Sequence, residues 1–275
     1  MDLSNNVVIQ KCDDGFNYLQ FRRLLEQGIK HAYILKPHRF MTRYGVDSQE
    51  RYNEAVENYE NFCKIIDIDE DKLIKPNQTH TNIVDVVEKA PNGIRIEDVE
   101  NYKDVDGLIT NVKGVSLATT NADCILLLMY DPVKKVIANV HSGWRGTYAK
   151  IAENCVKKMV IQYNCNPKDI IVCISPAIRK CHFVVKDDVK KMCEDIFSYT
   201  NRLDEIIEYI GKNDEGKDEY KIDNILITKI LLTQCGILEE NIEDCDICSV
   251  CNSELVNSYR KDGNEFGLSA AIISL

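Results

Sequence analysis

Between residues 118 and 147 two short apolar runs flank Asp131-Pro132. Each run has the length of a buried strand. Asp accepts backbone hydrogen bonds and Pro sets its own φ, so the intervening pair predicts a turn and the two runs a hairpin. Upstream, the pattern predicts a lead-in strand within residues 1–20, turning at Asp13-Asp14-Gly15. A short helix over 18–27 ends at Gly28, and a strand follows over 29–35. A helix over 54–63 carries Val56, Tyr59 and Phe62 at spacings of three. Further strands begin at Leu73 and cover 82–87, 108–110 and 115–118, the last delivering a polar turn at 119–124.

Downstream, Thr147 predicts the cap of a helix over 148–162 whose core face is Ile151, Cys155, Val156 and Met159. A strand over 170–174, a helix from Asp187-Asp188 to Phe197, a helix from Ile222 to Gln234 and a strand over 268–275 complete the chain. The almost wholly polar segment 211–219 predicts a mobile loop. Strands, then helices, then strands again predict one α/β (α+β) domain over residues 1–275 with mixed sheets.

Composition narrows the function classes. A chain of 275 residues buries a large core. A formal charge of −10 argues against nonspecific nucleic-acid binding, which needs a basic footprint. No apolar run reaches the roughly 18 residues of a membrane span, and the N-terminus lacks the basic-then-apolar pattern of a secretory leader. These features predict a cytoplasmic protein, read here as a monomer. Its twelve cysteines are then mostly small buried hydrophobes rather than disulfide partners.

The hairpin puts Cys124 at the start of its first strand and His141 at the end of its second, so a thiol and an imidazole meet. His80, in Gln78-Thr79-His80, is a third candidate. One thiolate and two imidazoles suit zinc, and three protein ligands leave the open position that a catalytic ion needs. The same residues allow a metal-free Cys–His nucleophile oriented by Gln78, or ordinary packing roles. Asp123 is expected to hold its turn. Gly143 and Gly146 permit a close approach, Trp144 suits a core plug, and Arg145 offers a fork for phosphate or carboxylate. The helix after this loop is expected to aim its N–H groups back at it. Lys36, Arg39 and Arg43 form a basic stretch, most simply solvated. Cys245, Cys248 and Cys251 have metal-like spacing with Cys235 as an available fourth, but in so cysteine-rich a chain chance explains the spacing better.

QTHTNIV at 78–84, VDGLIT at 105–110, ATTNADCILLLMYD at 118–131, VIANVHSGWRGTYAKI at 136–151, ISPAIRKCHFVV at 174–185 and SYRKDG at 258–263 together resemble the YfiH/YlmD family. It is also called the laccase-domain, multicopper polyphenol oxidoreductase or peptidoglycan editing factor family. The resemblance implies layers of helix, sheet, sheet and helix, and one zinc ion on His80, Cys124 and His141. It implies phosphorolysis of adenosine, inosine, guanosine or methylthioadenosine with phosphate, and deamination of adenosine. Arg145 and Arg43 are the expected anion-binding members of the catalytic set. Peptidoglycan-precursor editing, a metal-free Cys–His hydrolase and a zinc-binding protein without turnover are the alternatives. Copper chemistry fits poorly, because five histidines are too few for a multicopper set. The chain departs from the family pattern at Arg39 and Met41, where Gly and Ser are usual, and at Gly267-Leu268, where Gly-Arg is usual.

Overall fold

The computed structural model describes residues 1–40, 48–98 and 100–275. Fifteen strands run in chain order: β1 (Val8–Asp13), β2 (Phe16–Phe21), β3 (Lys30–Ile34), β4 (Leu73–Ile74), β5 (Val84–Val86), β6 (Gly107–Thr110), β7 (Ser116–Asn121), β8 (Ile125–Asp131), β9 (Val136–Ser142), β10 (Ile171–Ile174), β11 (Val184–Lys186), β12 (Ile207–Lys212), β13 (Asp218–Ile222), β14 (Ile242–Asp244) and β15 (Ser269–Ser274). Eight α-helices join them: α1 (Arg22–Glu26), α2 (Ser48–Ile65), α3 (Trp144–Tyr148), α4 (Ile151–Tyr163), α5 (Asp187–Phe197), α6 (Leu203–Ile206), α7 (Asn224–Gln234) and α8 (Tyr259–Asp262).

Two six-stranded mixed sheets form the centre, ordered β1-β2-β3-β15-β7-β4 and β14-β10-β8-β9-β6-β5. Alternation along the strands assigns their layers. In β8, Leu126, Leu128 and Tyr130 face the first sheet and pack with Leu117, Tyr33, Ala271 and Ile273. Ile125, Leu127 and Met129 face the opposite way, onto Ile151, Cys155, Val156 and Met159 of α4 and onto Ile225 and Leu232 of α7. Both faces of β8 are covered, so it reads as a continuous apolar run. On the far side of the first sheet, Tyr59, Phe62 and Cys63 of α2 cover Ala32, Ile34, Ala118 and Ile272. The layers are therefore helix, sheet, sheet and helix, as the family resemblance implies. A three-stranded sheet, β11-β13-β12, packs with α5 and α7 around Phe183, Phe197 and Ile222.

Several expectations change. Tyr18 lies in β2, and only Arg22–Glu26 is helical, because residues 16–21 pair along their whole length with β1. Segment 211–219 is the tip of a β-hairpin, with residues 213–217 as its turn. Lys212 and Asp218 pair in the β12–β13 hairpin, so main-chain pairing orders a polar sequence. The helix predicted over 148–162 forms as α4 with the expected core face but starts at Ile151, because Lys150 at φ 63° parts it from the separate turn α3. Thr147 does not cap it; its hydroxyl bonds to Ser142 and to the Gly143 carbonyl within the preceding turn. No helix among the described residues is long and apolar enough to cross a membrane.

Candidate functional site

The β8–β9 hairpin closes as its pattern requires. Asp131 Oδ1 accepts from the amides of Val133 and Lys134, and Leu126 stands opposite His141. Cys124 and His141 share the inward parity of Leu126 and Asn139. Asn139 spans the two sheets, donating to the Leu117 and Ala271 carbonyls at 2.9 Å each. The trio thus sits where the layer between the sheets opens.

His80 arrives on the loop after β4, with φ at 65°. Its Nε2 is 3.9 Å from Cys124 Sγ, and its ring meets that of His141 edge-on at 4.9 Å between centroids. One ligand atom from each of His80, Cys124 and His141 lies within 4.8 Å of the others.

Asp106, just before β6, aligns both histidines. Its Oδ1 accepts from His141 Nδ1 at 2.7 Å and from the His80 amide at 3.1 Å. Its Oδ2 accepts from the amides of Thr79 and Thr81 and from the Thr81 hydroxyl. Asp106 is fully buried. Burial pushes its carboxyl up, but the bonds from His141 and Thr81 outweigh that and hold it at about 2. A carboxylate on Nδ1 leaves Nε2 of His141 as the free ligand atom. Burial also opposes charge on the other two groups. Even so, His141 and His80 bring the Cys124 thiol down to about 6, and Cys124 with Asp106 lifts His141 to about 9.

The donor set fits one soft-to-borderline ion with an open position. Gly143 supplies the space. A Cβ there would lie 2.7 Å from His80 Cδ2 and 3.2 Å from Cys124 Sγ. Sequence reasoning missed Asp106 as a positioning residue, although it lies in the VDGLIT stretch. It assigned orientation of the imidazole to Gln78, whose amide instead brackets the Thr120 backbone, donating to its carbonyl at 2.8 Å and accepting from its amide at 2.9 Å.

Asp123 holds its turn, as expected, and also anchors the C-terminal segment. At φ 82° its carboxylate accepts from the hydroxyls of Ser249 and Ser258 and from the Arg260 amide at 2.6 Å. That brings Tyr259 and Arg260 to a cavity of about 870 Å³ that the trio also borders. Trp144, Phe183, Phe266 and Leu268 give the cavity an apolar wall, and Arg145 stacks on Trp144 at 4.3 Å, itself exposed. The expected N–H array behind Arg145 is reduced to the single turn of α3. Among the described residues Asn224 Oδ1 has no hydrogen-bond partner, and the residue borders the same cavity.

Of the basic stretch, Lys36 is paired with Asp262 at 2.9 Å, Arg39 is exposed and does not border the cavity, and Arg43 lies outside the described residues, as does Met41. Arg39 and Gly267 are neighbours: Arg39 Cγ is 3.4 Å from where a Cβ on Gly267 would stand, and the Phe40 amide donates to the Leu268 carbonyl. The two departures from the family pattern therefore fall at one place.

A mixed two-sheet α/β protein with an open His₂Cys cluster at the sheet interface is the class these features define. The chain belongs to the family described as multi-copper polyphenol oxidoreductase laccase, whose model matches residues 39–275. It is 34% identical over 183 residues to mouse purine nucleoside phosphorylase LACC1, covering 65% of this chain but only 39% of that protein. It is 28% identical over 232 residues to purine nucleoside phosphorylase YlmD of Bacillus subtilis, covering 84% of this chain and 81% of that one. Adenosine deaminase RL5, from an unknown prokaryotic organism, is 27% identical over 201 residues, covering 73% of this chain and 74% of its own. The crystal structure of YlmD from Geobacillus stearothermophilus superposes with a TM-score of 0.83 at 23% identity, covering 98% of this chain and 99% of that one, and establishes the shared fold.

Proposed function

We propose that this chain is a zinc-dependent purine nucleoside phosphorylase with adenosine deaminase activity. The observation that carries the reading is the convergence of His80, Cys124 and His141 beside the large cavity, in a chain whose relatives bear those two names. Trp144, Phe183 and Phe266 offer the apolar walls that a purine needs.

Arg145 presents its fork over the cavity for phosphate. A phosphate oxygen bonds to ribose C1′ as the bond from C1′ to the purine nitrogen breaks, and the base leaves with a proton. In the second reaction a water oxygen bonds to C6 as the C6–amino bond breaks, and the amino group leaves as ammonia to give inosine. Zinc, when bound, supplies Lewis-acid polarisation of an oxygen at the open position. Asp106 keeps His141 in the tautomer that presents Nε2. Copper-oxidase chemistry finds no support in the remaining histidines. His31 is sealed between backbone groups, His38 stacks on Phe16, and His182 lies among cysteines elsewhere.

Chromatography of a nucleoside panel tests the proposal. Free base and ribose-1-phosphate should appear only with phosphate, and inosine should form from adenosine without it. Absence of both products from zinc-loaded protein refutes it. Arg145→Ala should raise the phosphate KM about tenfold, the equivalent of about 1.4 kcal/mol of binding; an unchanged KM removes its role. The Asp106–His141–Cys124 line favours one second reading, a metal-free Cys–His hydrolase. Activity that survives complete metal removal would select it.

A further inference from the structure

The described residues assemble a second group of soft ligands, remote in sequence from the first. Cys181 and His182 lie in the turn before β11, and Cys248 and Cys251 in the turn after β14. Cys181 Sγ is 3.5 Å from Cys248 Sγ and 3.9 Å from Cys251 Sγ. His182 Nδ1 is 3.1 Å, 3.6 Å and 3.5 Å from the sulfurs of Cys181, Cys248 and Cys251. A tetrahedral zinc with bonds of about 2.3 Å to sulfur and about 2.0–2.1 Å to nitrogen spaces its ligands about 3.8 Å and about 3.5 Å apart. The observed separations lie close to those edges, a size that suits one ion rather than a cluster.

We propose that Cys181, His182 through Nδ1, Cys248 and Cys251 form a closed structural zinc site. Cys-x-x-Cys and an adjacent Cys-His supply the four ligands, so no position stays open for substrate, and the ion's role is to join two segments. The spacing of Cys248 and Cys251 is therefore a ligand pattern and not chance. Cys245 is not a member, being buried between the two sheets, and Cys235 packs beside α4 and α7.

The joined segments are two walls of the cavity. One carries Ile178 and Phe183; the other leads through Ser249 to Tyr259 and Arg260. Ser249 bonds Asp123, the neighbour of Cys124, and Arg260 Nη1 donates to the His182 carbonyl at 2.7 Å. An ion here would hold the wall of the cavity in register with the hairpin that carries Cys124 and His141.

Metal content of the full chain, purified with reductant and without chelator, tests the proposal. Cys124→Ala should retain one tightly held zinc, and Cys124→Ala with Cys251→Ala should hold none. Cobalt added to metal-free Cys124→Ala should give a tetrahedral ligand-field spectrum with thiolate charge transfer, losing about a third of that intensity in Cys181→Ser, since one of three sulfurs is removed. If the Cys251 variant does not fold, the cobalt spectrum of Cys124→Ala still decides. Absence of zinc from Cys124→Ala in excess zinc, a six-coordinate cobalt spectrum without charge transfer, or a disulfide among these cysteines in reduced protein would each overturn it. If the first trio instead binds no metal, wild type and Cys124→Ala would both hold one equivalent, and this site would stand alone.

Discussion

Asp106 Oδ1 accepts a hydrogen bond from His141 Nδ1 at 2.7 Å while the same carboxylate receives three consecutive backbone amides of the His80 loop. One buried side chain thus aims two ligands from different parts of the chain. Both oxygens face only donors, so Asp106→Asn would set an NH₂ against them whichever way the amide turned. Metal affinity at the trio should fall about 10–100-fold, measured by chelator competition in a Cys251→Ala background. Unchanged affinity would mean the carboxylate does not organise the ligands.

Gly143 has no Cβ because His80 and Cys124 occupy that volume. Gly143→Ala should displace the His80 ring and lower metal occupancy, with the urea midpoint little changed, since the clash falls on a partly exposed loop side chain. Full occupancy with native affinity in the alanine variant would show that the ring has room to shift.

Asp123 satisfies two hydroxyls and one amide while holding φ at 82°. Asp123→Ala orphans those donors and should cost about 2–4 kcal/mol of stability. Because Tyr259 and Arg260 would lose their anchor, nucleoside KM should rise more than kcat falls. Urea unfolding and steady-state kinetics check the two parts separately.

His31 should make stability depend on acid. Its Nε2 accepts from the Phe21 amide at 2.7 Å and its Nδ1 donates to the Ile29 carbonyl at 2.8 Å, so only the neutral ring fits. Burial lowers its pKa from 6.5 to about 4. The unfolded chain therefore takes up this proton near 6.5 and the folded chain only near 4. Stability is unaffected above 6.5 and falls as pH drops between those values, by about 3 kcal/mol in all. His31→Asn lacks this titration, so its deficit relative to wild type should shrink between pH 7 and pH 4.5 in urea unfolding. A deficit that stays constant over that range would show that His31 does not titrate as described.

The sequence by itself determined the elements whose pattern is local. The apolar runs of β8 and β9 with Asp131-Pro132 between them set the hairpin, and the hairpin's register brought Cys124 to His141. Strand parity put both on one face, and the scarcity of histidine left His80 as a candidate that the family motifs then joined to them. Local pattern could not carry the rest. The two ends of segment 211–219 became strand because a polar backbone found a partner to pair with, and residues 18–21 left the predicted helix for the same reason.

Only the tertiary structure decided which carboxylate orients His141, because Asp106 lies 35 positions away and reaches it through the pairing of β6 with β9. Only it separated Cys245 from Cys248 and Cys251 and joined those two to Cys181 and His182. Ligand geometry depends on distances of a few ångströms between side chains, and sequence spacing constrains such distances only within one turn or one hairpin. Once the ligands come from separate segments, the packing of sheets and loops sets them.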